Sequence, residues 1–237
     1  IRANIGKFAE PFDHLMGLTD DSLPEGNGHY CVAEEIISGH LCTLEGYVYH
    51  GEPVVYGVVD SLRGPNQVSF VSYQYPSQLP EDVTGRMREC AGRVVCAMDI
   101  DNSPFNMEFF WDPETDAIRL LEINPRLSKS HCPLFQMVSG ASHHEVATDL
   151  ALGERPQFPR KSGVFPMGAK FMPRTYDDAT VTRVPTEADI ERARGRYPEL
   201  LFNCHVREGM QLSELANQES YSFELADLFL GGEDRDD

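Results

Sequence analysis

Apolar and polar positions recur along this chain with two different periods. The runs LCTLEGYVY and PVVYGVVD flank the turn residues His50, Gly51 and Glu52, a pattern that predicts a β-hairpin. Just before them CVAEEII, residues 31–37, reads as a strand that Ser38 and Gly39 break. Over residues 80–98 the period becomes helical. Val83, Met87, Cys90, Ala91, Val94, Val95 and Met98 fall at three- and four-residue steps on one stripe, with Pro80 at its start. A second hairpin follows, FNMEFFW and AIRLLEIN, joined by the turn-rich stretch from Asp112 to Asp116. Residues 133–152 read as helical, the region around 164–172 as strand, and residues 186–196 as a short charged helix. There is no internal repeat. Strands, hairpins and helices mixed in this way predict an α+β fold with an antiparallel sheet flanked by helices. The expected division is a larger unit over residues 1–153 and a small C-terminal α/β lobe over residues 154–237.

Composition narrows the function classes. With 20 basic residues against 38 acidic ones the net charge is −18, which opposes sequence-independent binding to nucleic acid. Nucleotides stay open, because a metal and one or two Arg can hold phosphates locally. No window approaches the ~18 consecutive apolar residues of a membrane span, and no signal peptide is apparent. Six cysteines lie at 31, 42, 90, 96, 132 and 204 with no CxxC pair, which disfavours a zinc site or disulfide scaffold and suits a reducing, cytoplasmic setting.

The end of the second hairpin changes the picture most. Its last strand closes on Glu122, Asn124 and Arg126, which alternation places on one face, successive side chains ~7 Å apart. The partner strand offers Glu108, and pairing Asp112 with Ala117 brings Glu108 across from Leu121 or Glu122. Two bare carboxylates so close repel each other. A hard divalent cation such as Mg²⁺ removes that cost, Asn124 adds an amide oxygen, and Arg126 offers a fork for phosphate or carboxylate oxygens. A solvated face on which acids happen to alternate is the plainer alternative.

EINPR, with FNMEFF fourteen positions upstream of its Glu, resembles the metal-binding end of the ATP-grasp superfamily. NPRLSKSHCPLFQMVSG is similar to the matching region of biotin carboxylase-like members, and NSPFNMEF to that of small-molecule carboxylate–amine ligases. CVAEEIISGHLCTLEG resembles the adenine-binding hinge and the segment after it. The resemblance implies an ATP-grasp fold that uses ATP with Mg²⁺, or Mn²⁺ in its place. Glu34, Glu35, Ile36 and Ile37 would meet the adenine, largely through their backbone. Glu108 and Glu122 would hold one or two metal ions on the β- and γ-phosphates, with Asn124 completing the sphere. Arg126 would steady the transferred phosphoryl group as its charge develops. The reaction implied is two-step: a small carboxylate takes the γ-phosphate as an acyl phosphate, and an amine (or a thiol) displaces phosphate.

This chain also departs from the family. Leu41 stands where many relatives carry a ribose-binding Glu, and Glu45, on the next strand, is the substitute that parity allows. Ser130 replaces the Glu that serves as bicarbonate base in biotin carboxylase, which weighs against bicarbonate, and Asn106 replaces a frequent His. Lys129 and His131 either line the acceptor pocket or are a surface Lys and a capping His. His143 and His144, adjacent on a helix, point about 100° apart and do not make a metal pair. Asp99 and Asp101 read as a turn. The four lysines, Lys7, Lys129, Lys161 and Lys170, do not match the family's two ATP lysines. The expectation is therefore the C-terminal portion of a longer ligase, inactive alone, whose partner is the missing N-terminal part; a homodimer is compatible with it. A degenerate nucleotide-binding sensor and an acidic β-rich domain with a structural Ca²⁺ are the two rival readings.

Overall fold

A computed structural model describes residues 33–215 and 221–234 of the chain. Residues 1–37 and 38–237 form two separate compact units. In the first, residues 33–37 carry no regular secondary structure, and all but Ile37 are exposed. The strand expected over 31–37 is therefore absent from 33–37. A strand needs a hydrogen-bonded neighbour, and none of the described residues pairs with this stretch. Cys31, Val32, Lys7 and residues 235–237 lie outside the described residues.

The second unit is built on an eight-stranded sheet in which every pairing is antiparallel. In chain order its strands are β1 (His40–Tyr49), β2 (Glu52–Arg63), β3 (Phe70–Tyr75), β4 (Ser103–Asp112), β5 (Ala117–Asn124), β6 (Met167–Phe171), β8 (Leu201–Cys204) and β10 (Ala226–Gly232). Their order across the sheet is β5-β4-β1-β2-β3-β6-β10-β8. Two short strands, β7 (Arg174–Thr175) and β9 (Phe223–Glu224), pair separately. The boundary expected at 153/154 falls inside this unit, and β6, β10 and β8 continue the sheet that β1 to β5 begin.

The first hairpin forms as the sequence predicts. His50 (φ 49°) and Gly51 (φ 78°) both sit in the left-handed region, the two-residue geometry whose twist matches the flanking strands. Helix α1 (Glu81–Ala97) starts after Pro80 with Glu81 and Asp82 in its first turn. It buries Val83, Met87, Ala91 and Val95 against Cys42, Leu44, Val58, Phe105, Met107 and Phe109 on one sheet face. Met98, counted on the stripe, is exposed beyond the helix end. The region expected as one helix is two, α2 (Cys132–Ser139) and α3 (His144–Ala151), because Gly140 turns left-handed (φ 78°) and closes α2. These two cover the opposite face, packing Leu134, Phe135, Met137, Val146 and Leu150 on Tyr47, Tyr56, Val59 and Tyr75. Helix α4 (Glu187–Arg196) opens with a Thr186–Asp189 capping box.

Two irregularities in the ladder decide which side chains reach which face. Opposite β4, Leu120 pairs with Phe109 but Glu122 pairs with Glu108, so Leu121 is an extra, unpaired residue. Before it Ile118 and Leu120 point into the α1 core; after it Ile123 does. Strict alternation would have put Glu122 and Asn124 into that core and Ile123 out of it. The same count applies opposite β1, where Tyr56 is the extra residue between Val55 and Gly57. Deleting Leu121 is therefore expected to cost about 3 kcal/mol or more, since it turns two polar side chains inward, whereas Leu121→Ala should stay within about 0.5 kcal/mol. Urea unfolding of the two variants checks this.

Candidate functional site

The polar end of the face shared by β5, β4 and β1 carries the expected site residues. Glu108 lies directly opposite Glu122 on one side and Thr43 on the other, and Asn106 opposite Asn124 and Glu45. Asn124 Nδ2 donates to Glu122 Oε1 (2.6 Å) and Asn106 Oδ1 (3.1 Å), while its Oδ1 accepts from the Arg126 guanidinium (3.3 Å). Asn106 Nδ2 returns to the Arg126 carbonyl at 3.0 Å. This closed ring fixes the amide orientation and ties the residues after β5 back to β4. Asn106 thus has a use that its departure from the family's His concealed.

Beside the ring opens a cavity of about 280 Å³, lined among others by Glu108, Asn124, Arg126, Lys129, His131 and Tyr73. Lys129 and His131 both line it; His131 is also buried, ends the short helical turn Lys129–His131 and is the residue that precedes α2, without a side-chain capping bond. Glu108 is half-buried, and among the described residues no donor reaches its carboxylate. Burial first, and the facing Glu122 second, push its carboxyl above the ordinary range, with Arg63 and Arg126 partly offsetting them. Arg63, at the end of β2, was not singled out by sequence. It is held over the Phe110 ring at 5.0 Å.

An all-oxygen donor set, two carboxylates facing each other across the ladder, and an adjoining polar cavity fit a hard divalent ion. The other acidic cluster among the described residues, His205, Glu224 and Asp227, fits one less well. Lys170 (2.6 Å from Asp227) and Arg174 already neutralise its two carboxylates.

Glu45 is where structure and expectation part. It shares the site's face but is fully buried, 2.7 Å from His131 Nδ1. A ribose hydroxyl has no access to such a carboxyl, so that expected contact is not available. Leu41 is likewise part of the core. His143 is buried too, its Nε2 2.8 Å from the Ser128 carbonyl and its Nδ1 3.0 Å from the Tyr56 hydroxyl. It does not pair with His144 toward a metal; their rings stand 6.3 Å apart at 77°. Asp101 accepts from the Gly51 and Asn102 amides, the turn role expected of it. No signal in the sequence links Glu45 to residues 86 and 98 positions away.

Comparison with known proteins places this geometry. Residues 67–157 match the family described as carbamoyl-phosphate synthase L chain, ATP binding domain. The carbamoyl phosphate synthase large chain of Thermotoga petrophila is 38% identical over 79 residues, 33% of this chain and 7% of that one. The L-amino acid ligase of Bacillus licheniformis superposes with a TM-score of 0.65 at 14% identity, over 85% of this chain and 50% of that chain. The biotin carboxylase domain of Hydrogenobacter thermophilus 2-oxoglutarate carboxylase, solved as a dimer with MgADP, ADP and bicarbonate, gives 0.55 at 15% identity, over 81% and 41%. The likeness to these solved structures is one of fold, and the segment matched by the family model contains Glu108, Glu122, Asn124 and Arg126. It spans only a small part of the carbamoyl phosphate synthase chains it matches. No described helix is long and apolar enough to cross a membrane.

The buried Glu45 also sets a pH dependence. Burial raises its pKa to about 8, with His143 and Arg126 working against the rise. Burial lowers His131 to about 3. A carboxyl raised in the folded state binds a proton that the unfolded chain has released, so stability falls as pH rises toward 8; a lowered His gives the opposite trend up to pH ~6.5. Of these two contributions, the cost at Glu45 is the one that grows between pH 6.5 and 8. Wild-type stability is expected to decline there by at most ~1.4 kcal/mol per pH unit, and Glu45→Gln to flatten the decline, as read from urea midpoints across that range.

Proposed function

We propose that this chain is the nucleotide- and metal-binding half of an ATP-dependent ligase that activates a small carboxylate as an acyl phosphate for attack by an amine. The observation that carries the reading is the facing pair Glu108 and Glu122, with Glu108, Asn124 and Arg126 on the wall of one polar cavity. Its support from relatives is the match to an ATP binding domain and the likeness in fold to an amino acid ligase and to a carboxylase solved with MgADP.

In this reading Glu108 and Glu122 would hold one or two Mg²⁺, and the Asn124 oxygen, which here accepts from Arg126, would complete the sphere. The ion's contribution is to neutralise the β- and γ-phosphates and orient the γ-phosphorus for in-line attack. Arg126, already aimed along Asn124, meets the charge that builds on the transferred group. The substrate carboxylate oxygen bonds to the γ-phosphorus, ADP leaves with the electrons of the broken P–O bond, and the amine nitrogen then displaces phosphate from the acyl carbon. The backbone of residues 34–37, outside any regular secondary structure, offers donors and acceptors of the kind that read an adenine edge.

Thermal shift tests the binding half of this proposal directly. Mg·ADP at a hundred times its Kd should stabilise the chain by about 2.7 kcal/mol. Glu108→Ala and Glu122→Ala should each abolish that gain while keeping the fold. A wild-type chain indifferent to millimolar Mg·ADP, or one stabilised by Ca²⁺ alone, would rule the reading out.

A further inference from the structure

Below the cavity lies a buried proton balance that the ligase reading does not use. Glu45 Oε1 sits 2.7 Å from His131 Nδ1, both side chains being almost wholly buried. The second carboxylate oxygen, Oε2, has no hydrogen-bond partner among the described residues; its nearest cationic candidate is His143 Nδ1 at 3.8 Å. His143 cannot supply a proton there. Its Nε2 faces a carbonyl, which only accepts, so Nε2 carries the hydrogen, and Nδ1 is left as the acceptor of the Tyr56 hydroxyl.

The Ser128 backbone and Arg126 offset only part of the cost of a charge on Glu45, and burial outweighs them. A carboxylate beside a neutral imidazole would leave a net negative charge buried and only partly offset, a costly state. One further proton makes the pair neutral overall. It either sits on Glu45, which then donates to Nδ1, or makes His131 an imidazolium. Both arrangements put a hydrogen on His131 Nε2, and His131 is among the residues that line the cavity with Arg126 and Lys129. Tyr73 holds the His131 ring edge-on, centroids 4.9 Å apart.

We propose that His131, held by Glu45, is an oxyanion-binding donor of the cavity, presenting its Nε2–H to a carboxylate or phosphoryl oxygen. Only the identity of the oxyanion rests on the ligase reading; the donor itself does not. The surroundings support a neutral pair at physiological pH, since burial holds the Glu45 carboxyl up to about 8. Lys170 on β6 and Arg126 after β5 add positive charge nearby, and Glu108 adds negative charge. Tyr56 and Cys132, which also face Glu45, are pushed upward by burial, away from neutral pH. When the pair loses its shared proton, Nε2 turns from donor to acceptor and oxyanion binding weakens.

Nitrogen-15 NMR of the imidazoles in the full chain tests this without nucleotide, using acetate and sulfate as probes that keep their charge from pH 6.5 to 9. The expected result is His131 protonated at Nε2 at pH 7, with its resonance moved by one probe or both. Acetate alone would mark a carboxylate site and sulfate alone a phosphoryl site. Probe affinity should fall about tenfold between pH 7 and 9 in the wild type. It should be nearly flat in Glu45→Gln, whose amide can still donate to Nδ1. An Nδ1–H tautomer at pH 7, a His131 resonance blind to both probes, or the same pH slope in Glu45→Gln would overturn the proposal. If Glu45→Gln does not fold, the wild-type tautomer and titration decide. Mg·ADP stabilisation measured on the same sample tests the ligase reading separately, so either idea can fail alone.

Discussion

One extra residue in one strand controls this structure. Leu121 has no partner on β4, and its insertion reverses the in-out order of everything after it on β5. Upstream of the bulge the core takes Ile118 and Leu120; downstream it takes Ile123, while Glu122 and Asn124 turn to the face of Glu108 and Asn106. The apolar face under α1 stays closed along the whole strand. The polar face gathers two acids and two amides within two rungs of the ladder. Leu121 itself is left partly exposed, the local cost of the arrangement.

The second bulge works on the layer beneath. Tyr56, the unpaired residue of β2, joins the cluster under α2 and α3, where its hydroxyl meets His143. Next to it Gly57 faces Glu45, and a Cβ there would lie 2.6 Å from the Phe135 ring. A side chain at 57 would lift α2 away from the sheet, and His131, which immediately precedes α2, would move with it. The contact between Glu45 and His131 therefore depends on a missing side chain on the neighbouring strand. Rigid support of this kind is what a site needs if its groups are to hold their geometry when charge develops.

Much of this was readable from residue order. Both hairpins, α1 and the charged helix α4 follow from periodicity and turn residues, because each is decided by neighbours a few positions apart. The ending ExNxR announced the site for the same reason. What escaped was decided by distant contacts. The bulge could not be read because EIN and LEI alternate equally well, and only the α1 core chooses between them; the pairing of Asp112 with Ala117 left Glu108 facing either Leu121 or Glu122. Glu45 pointed to the correct face by parity, yet parity says nothing of the helices that bury it. Residues 33–37 read as a strand from their apolar content, yet among the described residues no strand pairs with them.

The account turns on whether Glu108 and Glu122 share a cation. Crystals of the chain grown with ADP and Mn²⁺, measured at the manganese absorption edge, would locate the ion by its anomalous signal. The account predicts a peak within ~2.3 Å of carboxylate oxygens from both Glu108 and Glu122, beneath the phosphates of ADP. Nucleotide bound elsewhere, or a manganese peak confined to His205, Glu224 and Asp227, would contradict it.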